Sequence, residues 1–86
     1  MPKILLIDDE DEFRKSLKRR LSLRGYEVVD FDNGKDAIKT ARSDTDLEVM
    51  ILDLKMPEMS GEEVLKEIRN YRSFDSHRGG DELIQT

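Results

Sequence analysis

Apolar positions along the chain follow two different rhythms. Ile4-Leu5-Leu6-Ile7 and Val49-Met50-Ile51-Leu52 are continuous apolar runs, the pattern of strands buried on both faces of a parallel sheet. Between them the period lengthens. Phe13, Leu17 and Leu21 recur at every fourth position with Arg14, Lys15, Lys18 and Arg19 interleaved, which predicts an amphipathic helix beginning near Asp11, with Gly25 where a C-terminal glycine belongs. Residues 27–31 (EVVDF) read as a second, more polar strand suited to a sheet edge. Asn33-Gly34 reads as a turn. Lys35 to Arg42 reads as a short helix with Ala37, Ile38 and Ala41 on one side, and Leu47 to Leu52 as the third strand. Ser60-Gly61-Glu62-Glu63 has the capping-box form and opens a helix whose apolar face is Val64, Leu65 and Ile68.

The predicted order is β-α-β-α-β-α. Alternation of this kind gives a parallel sheet with right-handed crossovers and helices on its faces. The pattern stops near Asn70, and residues 71–86 (YRSFDSHRGGDELIQT) mix isolated aromatics with charges and a Gly79-Gly80 break. Two readings of this tail stay open. It is irregular, or Glu82 to Thr86 forms a cut-off fourth strand with Thr86 at its tip.

Both continuous apolar runs end in acid: the first in Asp8-Asp9-Glu10, the second in Asp53. In an open α/β sheet, ligands bind outside the carboxyl ends of the strands. Neighbouring first and third strands would bring Asp8, Asp9 and Asp53 together there. Clustered carboxylates repel one another unless one is protonated or a cation sits between them. An oxygen-only ligand set suits Mg2+ rather than zinc or copper. With a metal on Asp8 and Asp9, Asp53 is chemically able to act as a nucleophile toward a phosphoryl group, forming an aspartyl phosphate.

Composition narrows the function classes. Charged residues make up 41% of the 86 residues and the formal net charge is -5, so direct binding of nucleic acid by this chain is disfavoured. There is no cysteine, hence no disulfide framework and no thiolate site. No apolar run approaches transmembrane length, and Asp8 to Glu12 interrupt the N-terminal apolar stretch, which leaves a soluble cytoplasmic protein without membrane contact as the expectation. Glu10, Asp11 and Glu12 fit acids complementing a helix dipole. His77 reads as a solvated tail residue, Arg78-Gly79-Gly80 as a turn, and Met50, Met56 and Met59 as packing residues.

The stretches KILLIDDE at 3–10, LSLRGYEV at 21–28, DNGKDAI at 32–38 and VMILDLKMPEMSGEEVLKEIR at 49–69 closely resemble the receiver domain of two-component response regulators. The resemblance implies a flavodoxin-like three-layer α/β/α fold. It implies Asp53 as phosphoacceptor, Asp8 and Asp9 as the acidic pair of a Mg2+ site, and the Lys55 backbone carbonyl as a further metal ligand. Met56-Pro57 and Gly61 match the family's loop after the acceptor. The resemblance also implies a histidine kinase or phosphotransfer protein as partner, and a phosphoacceptor domain rather than an enzyme.

Family members have five strands, a Ser or Thr after the fourth and a Lys after the fifth. No lysine follows Lys66, and only Thr86 stands where the hydroxyl switch residue could be. Residues 1–70 therefore read as a partial receiver domain, truncated after its third β-α unit, and 71–86 as an atypical tail. Such an ending would expose the third strand as an edge, and with it Phe13, Leu17 and Leu21 of the first helix. A homo-oligomer joined through that strand or the tail is the expectation. The alternative to a phosphoacceptor is thus a non-switching fragment serving as an oligomerisation or binding module.

Overall fold

The computed structural model describes residues 2–71 and 82–85. Its elements run β1 (Lys3–Ile7), α1 (Asp11–Leu23), β2 (Glu27–Phe31), α2 (Gly34–Ser43), β3 (Leu47–Leu52), α3 (Gly61–Arg69) and β4 (Glu82–Gln85). All strand pairs are parallel, in the order β2-β1-β3-β4. From β1 the chain adds β2 on one side and β3 and β4 on the other. The strand order reverses between β1 and β3, where open α/β sheets place their ligands.

The continuous apolar runs are explained by two-sided burial. Alternate side chains of a strand point to opposite faces. Leu5 and Ile7 join the larger core cluster with Ala37, Ala41, Val64 and Ile68 from α2 and α3. Ile4 and Leu6 face the other way, into a smaller cluster with Ile51 that Leu17 and Leu21 of α1 partly cover. The result is a layer of α1 on one face and of α2 with α3 on the other. Phe13 remains 44% exposed, whereas Leu17 and Leu21 are half-buried, so the expected exposure of that helix face holds for Phe13 alone.

Local signals set the helix ends. Gly25 adopts φ +93°, a conformation unfavourable for side chains with a Cβ, and its N–H donates to the Ser22 carbonyl at 3.0 Å to close α1. Ser60 caps α3 by accepting from the Glu63 N–H at 3.2 Å. Asn33-Gly34 is not a free turn: Asn33 Oδ1 accepts from the Asp36 N–H at 2.9 Å and Gly34 is already helical. Asn is a good N-cap for the same reason it favours turns, a short side chain that bonds nearby backbone.

The tail differs from its irregular reading. Glu82–Gln85 lies beside β3, pairing Val49 with Glu82 and Leu52 with Gln85. This corrects the expectation that β3 is an exposed edge available to a second copy: β3 lies between β1 and β4, and the edges of the described sheet are β2 and β4. Tail residues 72–81, including His77 and Arg78-Gly79-Gly80, and Thr86 lie outside the described residues. Among the described residues no helix is long and apolar enough to cross a membrane.

Met50 sits at the centre of β3 with no exposed surface. Met50→Ala should cost about 2–5 kcal/mol through lost burial and the cavity left behind, read as a lower urea midpoint with an unchanged slope.

Candidate functional site: an acidic cluster at the ends of two strands

Asp8 and Asp53 each follow the last residue of a strand, and those last residues, Ile7 and Leu52, are paired in register. The Asp53 N–H donates to the Ile7 carbonyl at 3.0 Å and the Asp8 N–H to the Phe31 carbonyl at 3.1 Å. The ladder therefore extends one step past the strands and holds both aspartates level. Carboxylate oxygens of Asp8, Asp9 and Asp53 all lie within 4.8 Å of one another. The apolar runs lead up to acid because the central strands are the rigid support of this cluster.

Only two of the six carboxylate oxygens accept hydrogen bonds among the described residues. Asp8 Oδ1 accepts from the Glu10 N–H at 2.9 Å, and Asp53 Oδ1 from the Lys55 N–H at 2.9 Å. Asp8 is 5% exposed. Burial pushes its carboxyl above the usual range, the Glu10 amide opposes this, and the charges of Asp53, Asp9 and Glu10 push the same way as burial. A buried carboxylate with an oxygen lacking a described partner, beside two others and without His or Cys, fits a hard divalent cation. Lys55 is exposed in the loop after β3, its amide already directed at Asp53. Asp9 also lines a cleft of about 630 Å³ bounded by Asp11, Asp32, Lys35, Met56 and Glu58.

Two neighbours of the cluster have roles that the sequence pattern left unassigned. Gly61 opens α3 directly beneath the Asp53 loop. A Cβ there would lie 2.3 Å from the Asp53 carbonyl oxygen and 2.5 Å from Leu54 Cα, so glycine lets the helix N-terminus approach the acceptor loop. Its own N–H donates to the Leu54 carbonyl at 3.2 Å. Arg14, expected on the solvated face of α1, is instead 7% exposed. It donates to the Asp8 carbonyl and to the carboxylates of Asp11 and Asp30. Met50, Met56 and Met59 are packing residues, as expected.

The match to the response regulator receiver domain family spans residues 4–76. A chain with this parallel α/β sheet and this acidic strand-end cluster belongs to that family. Over 71 residues, 83% of its length, it is 37% identical to the regulatory protein AtoC of Escherichia coli. It spans 15% of AtoC and no more than 59% of the other curated relatives compared. Among solved structures, the response regulator TrrA of Thermotoga maritima, in complex with Mg2+ and BeF, superposes with a TM-score of 0.75. The identity is 36%, over 100% of this chain and 87% of that one. A chain in the complex of histidine kinase ThkA with TrrA matches with a TM-score of 0.76 and 32% identity, over 100% of this chain and 86% of that one.

Two outcomes test the geometry. Gly61→Ala should cost about 1–3 kcal/mol, because backbone rather than a flexible side chain must yield, and NMR should show the largest shifts at Asp53 and Leu54. Asp8→Asn should raise the melting temperature of the metal-free protein at neutral pH. The folded carboxyl titrates above its unfolded value of 3.8, so the folded state holds more protons and stability falls as pH rises between the two values. The advantage of Asp8→Asn over wild type should therefore grow from acid toward neutral pH, measured by thermal melts in chelator.

Proposed function

We propose that this receiver domain accepts a phosphoryl group on Asp53 from a histidine kinase or phosphotransfer protein, and that Asp8, Asp9, Asp53 and the Lys55 backbone carbonyl hold Mg2+. The observation that carries this reading is the convergence of three carboxylates within 4.8 Å at the ends of adjacent parallel strands. The Mg2+–BeF complex of TrrA and the kinase complex that includes TrrA support it by similarity.

In the transfer, a carboxylate oxygen of Asp53 attacks phosphorus. The new P–O bond forms as the P–N bond to the donor histidine breaks, and the imidazole nitrogen leaves with the electron pair and takes up a proton. Mg2+, when bound, offsets negative charge on the phosphoryl oxygens. The chain supplies positioning. β3 fixes Asp53, the Lys55 amide orients its Oδ1, and Gly61 lets α3 approach the same loop. Burial and the charges of Asp53, Asp9 and Glu10 disfavour the ionised form of Asp8, and a bound cation would offset both. Phe13, exposed on α1, is available as an apolar contact for the donor protein. Thr86, which follows β4 in the chain, is the candidate hydroxyl for reading the phosphoryl group. The reading is of a regulatory module, with the phosphoryl group as signal rather than product.

The alternative of a non-switching assembly module loses its main support, because β3 is not an edge strand. An association of copies through a sheet edge would use β2 or β4, and on β4 Ile84 is 46% exposed.

Incubation with acetyl phosphate and Mg2+, followed by intact-mass and peptide mapping, tests the proposal. One phosphoryl group should appear on wild type, and Asp53→Asn or excess chelator should abolish it. A wild-type chain that stays unlabelled, with no spectral response to beryllofluoride, overturns the phosphoacceptor reading.

A further inference from the structure

Among the described residues, one buried guanidinium is not used by the phosphoryl transfer proposed above. Arg14 lies in the second turn of α1 and its side chain crosses toward β2. Nη1 donates to the Asp8 carbonyl at 2.9 Å in a buried bond and also lies 2.8 Å from Asp11 Oδ1, while Nε donates to Asp30 Oδ2 at 2.9 Å. The second oxygen of Asp30 is held by Lys18 Nζ at 2.8 Å.

We infer that Arg14 is a positioning residue for the cation site, acting through the Asp8 carbonyl. The inference rests on the metal reading above. The Asp8 carbonyl belongs to the peptide that joins Asp8 to Asp9. Holding that oxygen fixes the plane between two of the three clustered carboxylate residues, just where β1 ends and the chain loses its ladder. The other described hold across this peptide is the Glu10 N–H on Asp8 Oδ1, and Glu10, the N-cap of α1, makes no side-chain capping bond.

The partners of Arg14 explain why a cation beside an acidic site does not neutralise it. Asp11 and Asp30 take the guanidinium, and no bond runs from it to the carboxylates of Asp8, Asp9 or Asp53 among the described residues. Asp30 in turn is kept ionised. Its burial alone would raise its pKa, but hydrogen bonds and charge from Lys18 and Arg14 bring it below the usual carboxylate value. A planar fork with several donors can serve a carbonyl and two carboxylates at once, whereas a lysine ammonium on a flexible stem cannot span them.

The test compares wild type with Arg14→Gln and Arg14→Lys, and with Lys3→Met, which breaks ion pairs to Glu27 and Asp44 near the opposite end of β1. Mg2+ affinity is measured by calorimetry, and exchange of the Glu10 amide, which bonds Asp8 Oδ1, by NMR without metal. Arg14→Gln should weaken Mg2+ binding about tenfold or more, the usual scale for residues that orient metal ligands. It should also speed Glu10 exchange, with Arg14→Lys restoring neither to the wild-type value. Lys3→Met should lower the melting temperature and leave both readouts unchanged. If the Arg14 variants fail to fold, Asp30→Ala, which removes the Nε partner, should show the same two effects. Unchanged Mg2+ affinity and Glu10 exchange in these variants, or an equal loss in Lys3→Met, overturns the inference. Failure of the wild type to bind Mg2+ counts against the metal reading instead, and faster Glu10 exchange in Arg14→Gln would still support the clamp.

Discussion

Parallel pairing of β1 with β3, with Ile7 opposite Leu52, is the constraint on which the rest depends. A strand's side chains alternate between faces, so a slip of one residue would turn each buried side chain to the other face. It would also move Asp8 out of level with Asp53. Here the register is strongly specified, because both faces of β1 are buried. The same pairing thus builds the core and gathers the acids. The cost is local: a carboxyl such as Asp8 is buried among like charges, and apolar packing behind it offsets that penalty.

Much of this was legible in the chain because it is written in runs and periods. Two apolar runs ending in aspartate predicted buried neighbouring strands and a shared acidic edge. The capping pattern at Ser60 and Glu63 located the start of α3. Other features were not legible, for identifiable physical reasons. β4 was legible only as one of two open readings of the tail, because its four residues, ELIQ, half of them polar, are too short to show a period. Arg14 occupies a position that helical spacing assigns to the polar face. Its burial comes from a partner sixteen residues away, on a different strand, and local sequence carries no trace of such a contact. The need for glycine at 61 is a matter of clearance to the Asp53 loop, visible only once the two segments are set side by side.

The site divides its labour between rigid and adjustable parts. Strand ends supply Asp8 and Asp53, whose amides still take part in the sheet ladder. Loops supply the Glu10 and Lys55 amides, each donating to the carboxylate two residues earlier. These turns orient the acids without neutralising them. Two basic groups of α1 are tied away from the cluster: Arg14 and Lys18 both go to Asp30.

The two faces of the sheet are unequally anchored. α2 and α3 are fastened by the large cluster around Leu5, Ile7, Leu52 and Ile68, whereas α1 rests on the small one formed by Ile4, Leu6 and Ile51. Regions with fewer buried apolar contacts detach at lower free energy than the molecule as a whole unfolds. The segment easiest to peel away is thus the one that brings Arg14 to the Asp8–Asp9 peptide. Partial opening of this protein would loosen the acidic strand-end cluster first, while the half built on α2 and α3 stays folded, and a cation held as proposed there would be felt as a fastening of the helix on the far face.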